Sequence, residues 1–383
     1  MAKKASSDTQ PQAMQLPPAE IRYQNELIAL RETDRGTRPE GWLLSPQAVV
    51  DFIAGTNGEK IGSNRSQLIP ISEKFVGPRD LIQRCVVTLA GERGLLLVGE
   101  PGTAKSMLGE LLAVAISGTS RLAVQGTAGT TEDQIRYGWN YAMLLEQGPK
   151  PEALVPSPVF QAMKSGRIVR FEEVTRCLPE VQDSLISILS ERRLMIPELE
   201  ETDSSLFATP GFNVIATANL RDRGVSEMSA ALKRRFNFET VFPIQDAKRE
   251  VDLVSRRTSA VLTNSEKGID VDAAMVEILV EIFRDLRSGR TTEGWQVQQP
   301  STVMSTAEAV AVTTAILREG VFFPSGFDPL SRLPGHLLGV VMKDDPKDRE
   351  RLLHYWDGPV RRRSETGNPH WKRLSELRSQ IEG

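Results

Sequence analysis

The sequence predicts an α/β fold with a parallel sheet, followed by a small domain made only of helices. The run 94–99 (GLLLVG) is continuously apolar and ends in glycine, as expected of a strand that is buried on both faces. Strand and helix patterns alternate between residues 80 and 242, which indicates parallel strands joined by helices. After Pro243 only helical patterns remain, and these define the second domain.

The periodicity of apolar residues places each element along the chain. Short helices are predicted at 17–34 and 46–54, ahead of the sheet. The strands of the sheet are predicted at 94–99, 121–125, 167–171, 212–217 and 237–242. The helices beside them are predicted at 80–90, 106–116 and 178–192, and the later helices at 247–261, 271–287, 305–319 and 334–342.

These elements divide the chain into four predicted segments. A tail with a helical extension occupies 1–70, the α/β nucleotide-binding domain 71–243, and a helical domain 244–345. Residues 346–383 are rich in Lys and Arg, and we interpret them as a basic, solvated helical tail.

The composition excludes several classes of protein. The chain of 383 residues is 40% hydrophobic and 25% charged, which is typical of globular proteins. A net charge of −3 argues against a protein that coats nucleic acid with its whole surface. Cys85 and Cys177 lack metal-binding or disulfide spacing. The sequence has no signal peptide and no apolar run of about 20 residues, so we predict a cytoplasmic protein without membrane insertion.

The strongest motif is GEPGTAKS at 99–106, between a predicted buried strand and a helix. Backbone N–H groups of such a loop and of the helix that follows form a cradle for phosphates. The sequence therefore predicts a P-loop that binds ATP. The predicted nucleotide-binding residues are Gly99, Glu100, Pro101, Gly102, Thr103, Ala104, Lys105, Ser106 and Met107.

Two side chains of the loop have predicted chemical roles. Lys105 reaches the β- and γ-phosphates, and the hydroxyl of Ser106 binds Mg²⁺. Ala104 stands where the G-x-x-x-x-G-K-[ST] pattern has glycine. Because alanine tolerates helical geometry, we expect this departure to be mild.

Two acids follow the third predicted strand in RIVRFEEVTR. In P-loop ATPases the first acid supports Mg²⁺ and the second polarises the attacking water. Glu172 and Glu173 occupy these positions at the carboxyl end of a strand, where the phosphates are expected. The first acid is usually aspartate, so the longer Glu172 is expected to reach the metal through water.

Polar residues at two further places complete the predicted site. Asn219 ends the fourth strand, in FNVIATAN, between the P-loop strand and the acidic strand, where it can orient the lytic water. Arg234 and Arg235, in SAALKRRF, are candidates for a contact with the γ-phosphate in a neighbouring subunit.

These four elements, in this order, resemble the AAA+ ATPases, and their details are most similar to the MoxR branch. The resemblance covers about residues 70–345. It implies a P-loop NTPase core with a helical lid at 244–345, and a homo-oligomeric ring, usually a hexamer, with ATP between subunits. It also implies that Asn219 is the first phosphate sensor and that Arg235, with Arg234 as the alternative, is the arginine finger.

The MoxR resemblance also implies two insertions that face the ring pore or a client protein. The candidates are 137–158 and 194–211, and the second has the pattern of a β-hairpin. One feature departs from the branch: its lid usually has an arginine at the start of a helix, whereas 301–307 contains none.

Three functions remain open on the sequence. The favoured one is an ATP-driven ring that remodels or loads another protein, with a von Willebrand factor A domain protein as a separate partner. The second is a nucleic-acid motor, against which the acidic residues of the predicted hairpin argue, since they would repel phosphate. These residues are Glu198, Glu200, Glu201 and Asp203. The third is a nucleotide-switched scaffold with little hydrolysis, which Glu172 and the missing lid arginine keep open.

Overall fold

A computed structural model of the chain describes residues 14–62, 68–200, 202–219, 226–262 and 272–382. The predictions for residues 1–13 and for Glu201 therefore lie outside the described residues. The chain divides into two compact units. One contains the chain up to Leu96, Ser106–Ala218 and the strand that ends near Glu239, and the other contains Leu97–Lys105, Asn219 and the chain from Thr240 onward.

The N-terminal segment forms short helices and a small antiparallel ladder, as the pattern at 17–34 and 46–54 predicts. Its elements are α1 (Ala19–Arg22), α2 (Gln24–Thr33), α3 (Pro46–Ala54), β1 (Lys60–Ile61) and β2 (Ile69–Pro70). Lys74 holds this segment together, because its buried ammonium group forms an ion pair with Glu26 and donates to the carbonyl of Phe52 at 2.8 Å.

A five-stranded parallel sheet follows, which confirms the predicted fold class. The elements up to its third strand are α4 (Arg79–Leu89), β3 (Gly94–Val98), α5 (Lys105–Ser117), β4 (Ala123–Gln125), β5 (Tyr137–Trp139), α6 (Tyr141–Gln147), β6 (Leu154–Pro156), α7 (Pro158–Ser165) and β7 (Ile168–Glu172). The later ones are α8 (Pro179–Asp183), α9 (Leu185–Glu191), β8 (Arg193–Met195), β9 (Ser205–Phe207), β10 (Asn213–Ala218), α10 (Ala230–Lys233) and β11 (Phe236–Thr240).

The order of strands in the sheet is β11-β3-β10-β7-β4. Strand β7 pairs in parallel with β10 on one side and with β4 on the other. All residues of β3 and β10 are buried, because helices cover both faces of these central strands. The carboxyl ends of β3, β10 and β7 are therefore neighbours along one edge, and β10 lies between the other two, as the sequence predicts.

Two predictions for the elements beside the sheet have different outcomes. The predicted β-hairpin is present as the antiparallel pair β8 and β9. The single helix predicted at 178–192 is wrong, because the chain forms two helices that meet at Ser184. The hydroxyl of Ser184 donates to the carbonyl of Val181 at 2.7 Å, and such side-chain bonds compete with regular helical hydrogen bonding.

The rest of the described chain is helical. Its helices are α11 (Ala247–Val261), α12 (Ala273–Ser288), α13 (Thr306–Phe322), α14 (Pro329–Val341), α15 (Asp348–Tyr355), α16 (Arg361–Ser364), α17 (Pro369–Glu376) and α18 (Ser379–Glu382), with a π-helical turn, Trp356–Val360, between α15 and α16. The predicted start of α14 at Pro334 is wrong, since Asp328 caps the helix and Pro334 lies inside it.

The helices after residue 346 contribute to the same core as those before it. Trp356, Trp371 and Ile381 are buried in one cluster with Phe283 and Leu333. The interpretation of this segment as a solvated tail is therefore wrong, because its basic residues lie beside large apolar ones that need burial. The predicted limits of the domains themselves stay predictions. Among the described helices, none is long and apolar enough to cross a membrane.

Candidate functional site

The loop between β3 and α5 has a left-handed backbone at two positions. Gly102 has a φ of +75° and Ala104 a φ of +67°. The expectation of helical geometry at Ala104 is therefore wrong. Because a Cβ in this conformation costs roughly 1–2 kcal/mol, the alanine retains strain that the glycine of the motif avoids.

Lys105 lies at the centre of one part of the site. Its Nζ donates to the carbonyl oxygens of Gly99 at 3.0 Å and Glu100 at 2.8 Å, and to Oδ1 of Asn219 at 2.6 Å. The lysine is only 5% exposed, and its charge is compensated by two carbonyl oxygens of the loop and by the side-chain oxygen of Asn219. This contact brings the predicted Asn219 to the lysine, as expected for the ends of adjacent strands β3 and β10.

A cavity of about 220 Å³ lies beside the same loop. Gly99, Glu100 and Pro101 line it on one side, and the segment from Thr240 to Pro243 lines it on the other. The amide of Val241 donates to the carbonyl of Val98 at 2.8 Å, which holds the two sides together. The cavity thus lies directly beside the loop that is predicted to bind phosphate.

Glu172 organises the other part of the site. Its Oε2 accepts from the hydroxyl of Ser106 at 2.7 Å and from that of Thr217 at 2.9 Å. Its Oε1 accepts from Arg170 at 2.7 Å. The carboxylate is therefore buried among two hydroxyls and a guanidinium, which hold it in one orientation.

The sequence analysis did not identify Thr217 and Arg170. Arg170 lies two residues before Glu172 on β7, so both point to the same face of the strand. Thr217 lies two residues before Asn219 on β10, and this spacing is the only signal that points to it.

Glu173 follows β7 in a left-handed conformation, with a φ of +54°. Its amide donates to Oγ1 of Thr217 at 2.9 Å, and its carboxylate lies 3.7 Å from Arg176. A non-glycine residue in this region is strained, and such strain often occurs where a side chain is held for function. The conformation turns the chain sharply at the end of β7, directly after Glu172.

The two predicted arginines differ in their surroundings. Arg235 donates from Nε to Ser190 at 2.7 Å and from Nη1 to the carbonyl of Ala231 at 2.9 Å. Arg234 is exposed and, within the described residues, its guanidinium forms no hydrogen bond or ion pair. Of the two, Arg234 is therefore the one whose charge is available at the surface.

The oxygen atoms around Ser106 suit a hard divalent cation. The Ser106 hydroxyl and the Glu172 carboxylate lie 2.7 Å apart, and Mg²⁺ prefers such oxygen ligands. AAA+ ATPases use a nucleotide and usually Mg²⁺, and both residues fit the metal. The Ser106 hydroxyl and the Glu172 carboxylate can thus provide two oxygen ligands to a metal ion that accompanies a nucleotide.

Comparisons with known proteins agree with this chemistry. Residues 94–236 match the AAA domain of the dynein-related subfamily, and residues 248–382 match the C-terminal domain of YehL-like AAA+ ATPases. A protein of Escherichia coli (strain K12), called "Uncharacterized protein YehL", is 46% identical over 368 residues, which are 96% of this chain and 98% of that protein.

More distant similarities cover less of the chain. "Uncharacterized protein SH1500" of Staphylococcus haemolyticus (strain JCSC1435) is 28% identical over 196 residues, 51% of this chain and 69% of that protein. Among solved structures, the Thermotoga maritima RuvB Holliday junction branch migration motor aligns with a TM-score of 0.43 and 15% identity, over 75% of this chain and 78% of that one.

Proposed function

Because this chain belongs to the YehL-like AAA+ ATPases, we propose that it works as an oligomeric ring that remodels or loads a separate partner protein, as members of the MoxR branch do. The chain is an AAA+ ATPase, a family whose members usually oligomerise. The proposal adds the ring of MoxR type, the chaperone-like role and the assignment of residues to steps of ATP hydrolysis.

The observation that supports this assignment most strongly is the contact between Ser106 and Glu172. The hydroxyl at the start of α5 and the carboxylate at the end of β7 lie 2.7 Å apart, and this short distance supports a shared role in holding one Mg²⁺. When bound, the metal would neutralise charge on the phosphates. Thr217 and Arg170 keep the Glu172 carboxylate in place for this role.

Two further residues act on the reactants in the proposed mechanism. Glu173 accepts the proton of the attacking water, and the hydrogen bond from its amide to Thr217 fixes its backbone at the end of β7. Lys105 leaves its loop carbonyls to bind the phosphates, while Asn219, which is 2.6 Å from the lysine, orients the water. Residues 99–107 provide the backbone cradle.

The proposed ring places an arginine of one subunit at the ATP of the next. Arg234 is exposed and has no hydrogen bond or ion pair from its guanidinium to any described residue, which favours it over Arg235, since the latter is bound to Ser190 and Ala231 in its own chain. We retain both as candidates for the finger. The proposed domains are the nucleotide-binding domain at 71–243 and a lid that begins at 244.

The two insertions are joined to each other, which supports a single surface for the partner. The hydroxyl of Tyr137 donates to Glu198 at 2.8 Å, and Arg136 donates to the carbonyl of Met195 at 2.7 Å. Burial, together with Glu198, raises the pKa of Tyr137, so the phenol stays protonated as the donor. One of the acids predicted for the hairpin, Glu198, thus accepts a hydrogen bond from Tyr137 of the same chain. The von Willebrand factor A domain of the partner is proposed from the MoxR resemblance.

The proposal is tested by separating ATP binding, ATP turnover and partner release. Glu173→Gln should bind ATP as the wild type does and lose about 10²–10⁴-fold in turnover, since an amide cannot accept the proton. Glu146→Gln, at an exposed position of α6, is the control and should turn over normally. In the presence of ATP, the Glu173→Gln ring should retain a partner protein with a von Willebrand factor A domain. In the presence of ADP, it should release that partner.

Other outcomes of these measurements favour the alternatives. Unchanged turnover in Glu173→Gln would remove Glu173 from the mechanism. Negligible turnover in the wild type, with tight ATP binding, would indicate a nucleotide-switched scaffold. Turnover that DNA stimulates, with binding that weakens steeply as salt is raised, would indicate a nucleic-acid motor.

A further inference from the structure

Glu250, on α11, is the most completely buried carboxylate that contacts two arginines in the described part of the chain. Its side chain is 1% exposed. Oε2 accepts from Arg284 at 2.9 Å and from Arg287 at 3.0 Å, and Oε1 accepts from Arg287 at 3.1 Å. Burial of a charge without such partners costs free energy, so loss of either arginine would destabilise this part of the helical domain.

The cluster holds two separate pieces of backbone. Arg284 also donates to the carbonyls of Ile244 at 3.0 Å and Gln245 at 2.7 Å, in the link between β11 and α11. Arg287 donates to the carbonyl of Met304 at 3.0 Å. The link and the turn before α13 are therefore fastened to the same carboxylate.

Glu250 also contacts α13 directly. The hydroxyl of Thr306, the first residue of that helix, donates to Oε1 of Glu250 at 2.7 Å. At the other end of the same turn, the amide of Ser301 donates to the buried carboxylate of Asp348 at 2.9 Å. The burial of Asp348 would raise its pKa, but hydrogen bonds from Ser301 and Arg351 lower it below the usual value. The turn is thus held at its two ends by the carboxylates of Glu250 and Asp348.

Both fastened pieces border the phosphate loop. Ser305 packs on Gly102 so closely that a Cβ on the glycine would lie 2.3 Å from the Cβ of Ser305. The link that Arg284 holds begins directly after Pro243, which lines the cavity beside Gly99. A displacement of the turn before α13 or of the link after β11 would therefore disturb the packing of the loop.

We propose that Glu250 is a positioning residue for ATP binding, which holds the turn before α13 against Gly102 and the link after β11 beside the cavity. Glu250 acts through Thr306 and the two arginines and does not touch the phosphates. Its loss should therefore weaken the binding of ATP and leave the chemical step nearly intact. The inference rests on the proposed role of the loop as the ATP site.

The direct test removes one contact of Glu250 with a near-isosteric change. Thr306→Val deletes the hydroxyl and leaves both ion pairs in place. We expect Kd and KM for ATP with Mg²⁺ to rise about tenfold, the lower end of the effect of one hydrogen bond to a charged group, because only part of that loss reaches the loop, while kcat stays within about twofold. Thr313→Val is the matched control, since Thr313 is buried in the same helix and its hydroxyl donates to the carbonyl of Ala309 within that helix. It should leave both constants unchanged.

A second pair of variants tests the carboxylate. Glu250→Gln keeps the shape of the side chain and removes its charge, and Kd for ATP should rise more than in Thr306→Val. Asp252→Asn, on the exposed side of the same helix, is its control and should have the Kd of the wild type. If Glu250→Gln does not fold, the Kd of Thr306→Val for ATP alone decides whether Glu250 has the proposed positioning role.

The outcomes distinguish failure of the inference from failure of the proposed function. Wild-type Kd and KM in folded Thr306→Val would overturn the inference, as would an equal rise in Thr313→Val, which would indicate a general loss of helix packing. A wild-type protein that binds no ATP would overturn the proposed function and the inference together. Tight ATP binding that is lost in Lys105→Ala but unaffected by Thr306→Val would overturn the inference only.

Discussion

At the scale of single residues, Ala104 shows how a motif tolerates a substitution at a cost. Its φ of +67° is the conformation that glycine adopts readily, and the residue lies directly before the lysine that α5 begins with. The alanine is accepted because the loop and the helix fix the backbone on both sides. The strain is stored next to the predicted phosphate contacts.

Replacement of this residue gives the first prediction. Ala104→Gly should raise stability by about 0.5–1 kcal/mol, because relief of roughly 1–2 kcal/mol of strain exceeds the greater freedom that glycine has in the unfolded chain. Ala113→Gly, in the middle of α5, should instead lower stability by about 1 kcal/mol. Urea denaturation of both variants measures the difference. A loss of stability in both would contradict the strained conformation of Ala104.

Lys105 gives the second prediction. Lys105→Ala should abolish tight binding of ATP, because the lysine provides the full positive charge that the loop offers to the β- and γ-phosphates. Isothermal titration with ATP and Mg²⁺ measures this, with Lys248→Ala, at an exposed position of α11, as the control. An affinity equal to that of the wild type would show that the loop does not hold the phosphates.

Much of the candidate site can be predicted from the sequence, since Glu172 and Asn219 each stand at the end of a mainly apolar run. A polar residue at that point is conspicuous, and parallel strands bring their carboxyl ends to one edge. Thr217 and Arg170 cannot be found in this way. They lie inside strands, where their spacing of two residues from Asn219 and Glu172 is a weak signal, and the hydrogen bonds of Glu172 are what establishes their role.

At the scale of elements, the C-terminal helices depend on a buried ion cluster. Arg363, on α16, is 4% exposed and lies 2.8 Å from Asp285 and 3.0 Å from Glu281, both on α12. Burial raises the pKa of Asp285, while the hydrogen bond from Arg363 lowers the pKa of Glu293 to about 2. A single arginine thus compensates several carboxylates and fastens α16 to α12.

Removal of this arginine gives the third prediction. Arg363→Met should lower stability by about 3–5 kcal/mol, since it leaves Asp285 buried without its cation. The double variant with Asp285→Asn should recover part of the loss, because the uncompensated charge is then absent. Arg361→Met, at an exposed position of the same helix, is the control. Urea denaturation measures all three, and equal stability of Arg363→Met and the control would contradict the fastening role.

The same cluster explains why the sequence does not predict the packing of residues after 346. Runs of basic residues are usually solvated, and Arg361, Arg362 and Arg363 are consecutive. Only one of them turns inward, and that choice depends on acids about 70 residues earlier in the chain. Long-range charge pairing of this kind leaves no periodic signal, whereas the apolar strands of the sheet do.

At the scale of the whole molecule, the proposed ring requires that each ATP site be completed by a neighbour. The contacts of Lys105, Ser106 and Glu172 are made within one chain. Arg234 has no such contact within the described residues, so its charge is available to another subunit. Assembly and turnover should therefore depend on each other.

The last prediction tests this dependence by mixing two inactive proteins. Arg234→Ala, and separately Arg235→Ala, should keep ATP binding, and the one that removes the finger should lose as much as about 10³-fold in turnover. Turnover of the wild type should rise more steeply than linearly with protein concentration, because only assembled subunits have a complete site. In an equal mixture of the finger variant with Glu173→Gln, about one interface in four pairs an intact Glu173 with an intact arginine of the neighbour. The mixture should therefore reach about a quarter of wild-type activity if interfaces act independently. A mixture no more active than its components, or a monomer with full specific activity at high dilution, would exclude the ring and leave the phosphate-binding loop unaffected.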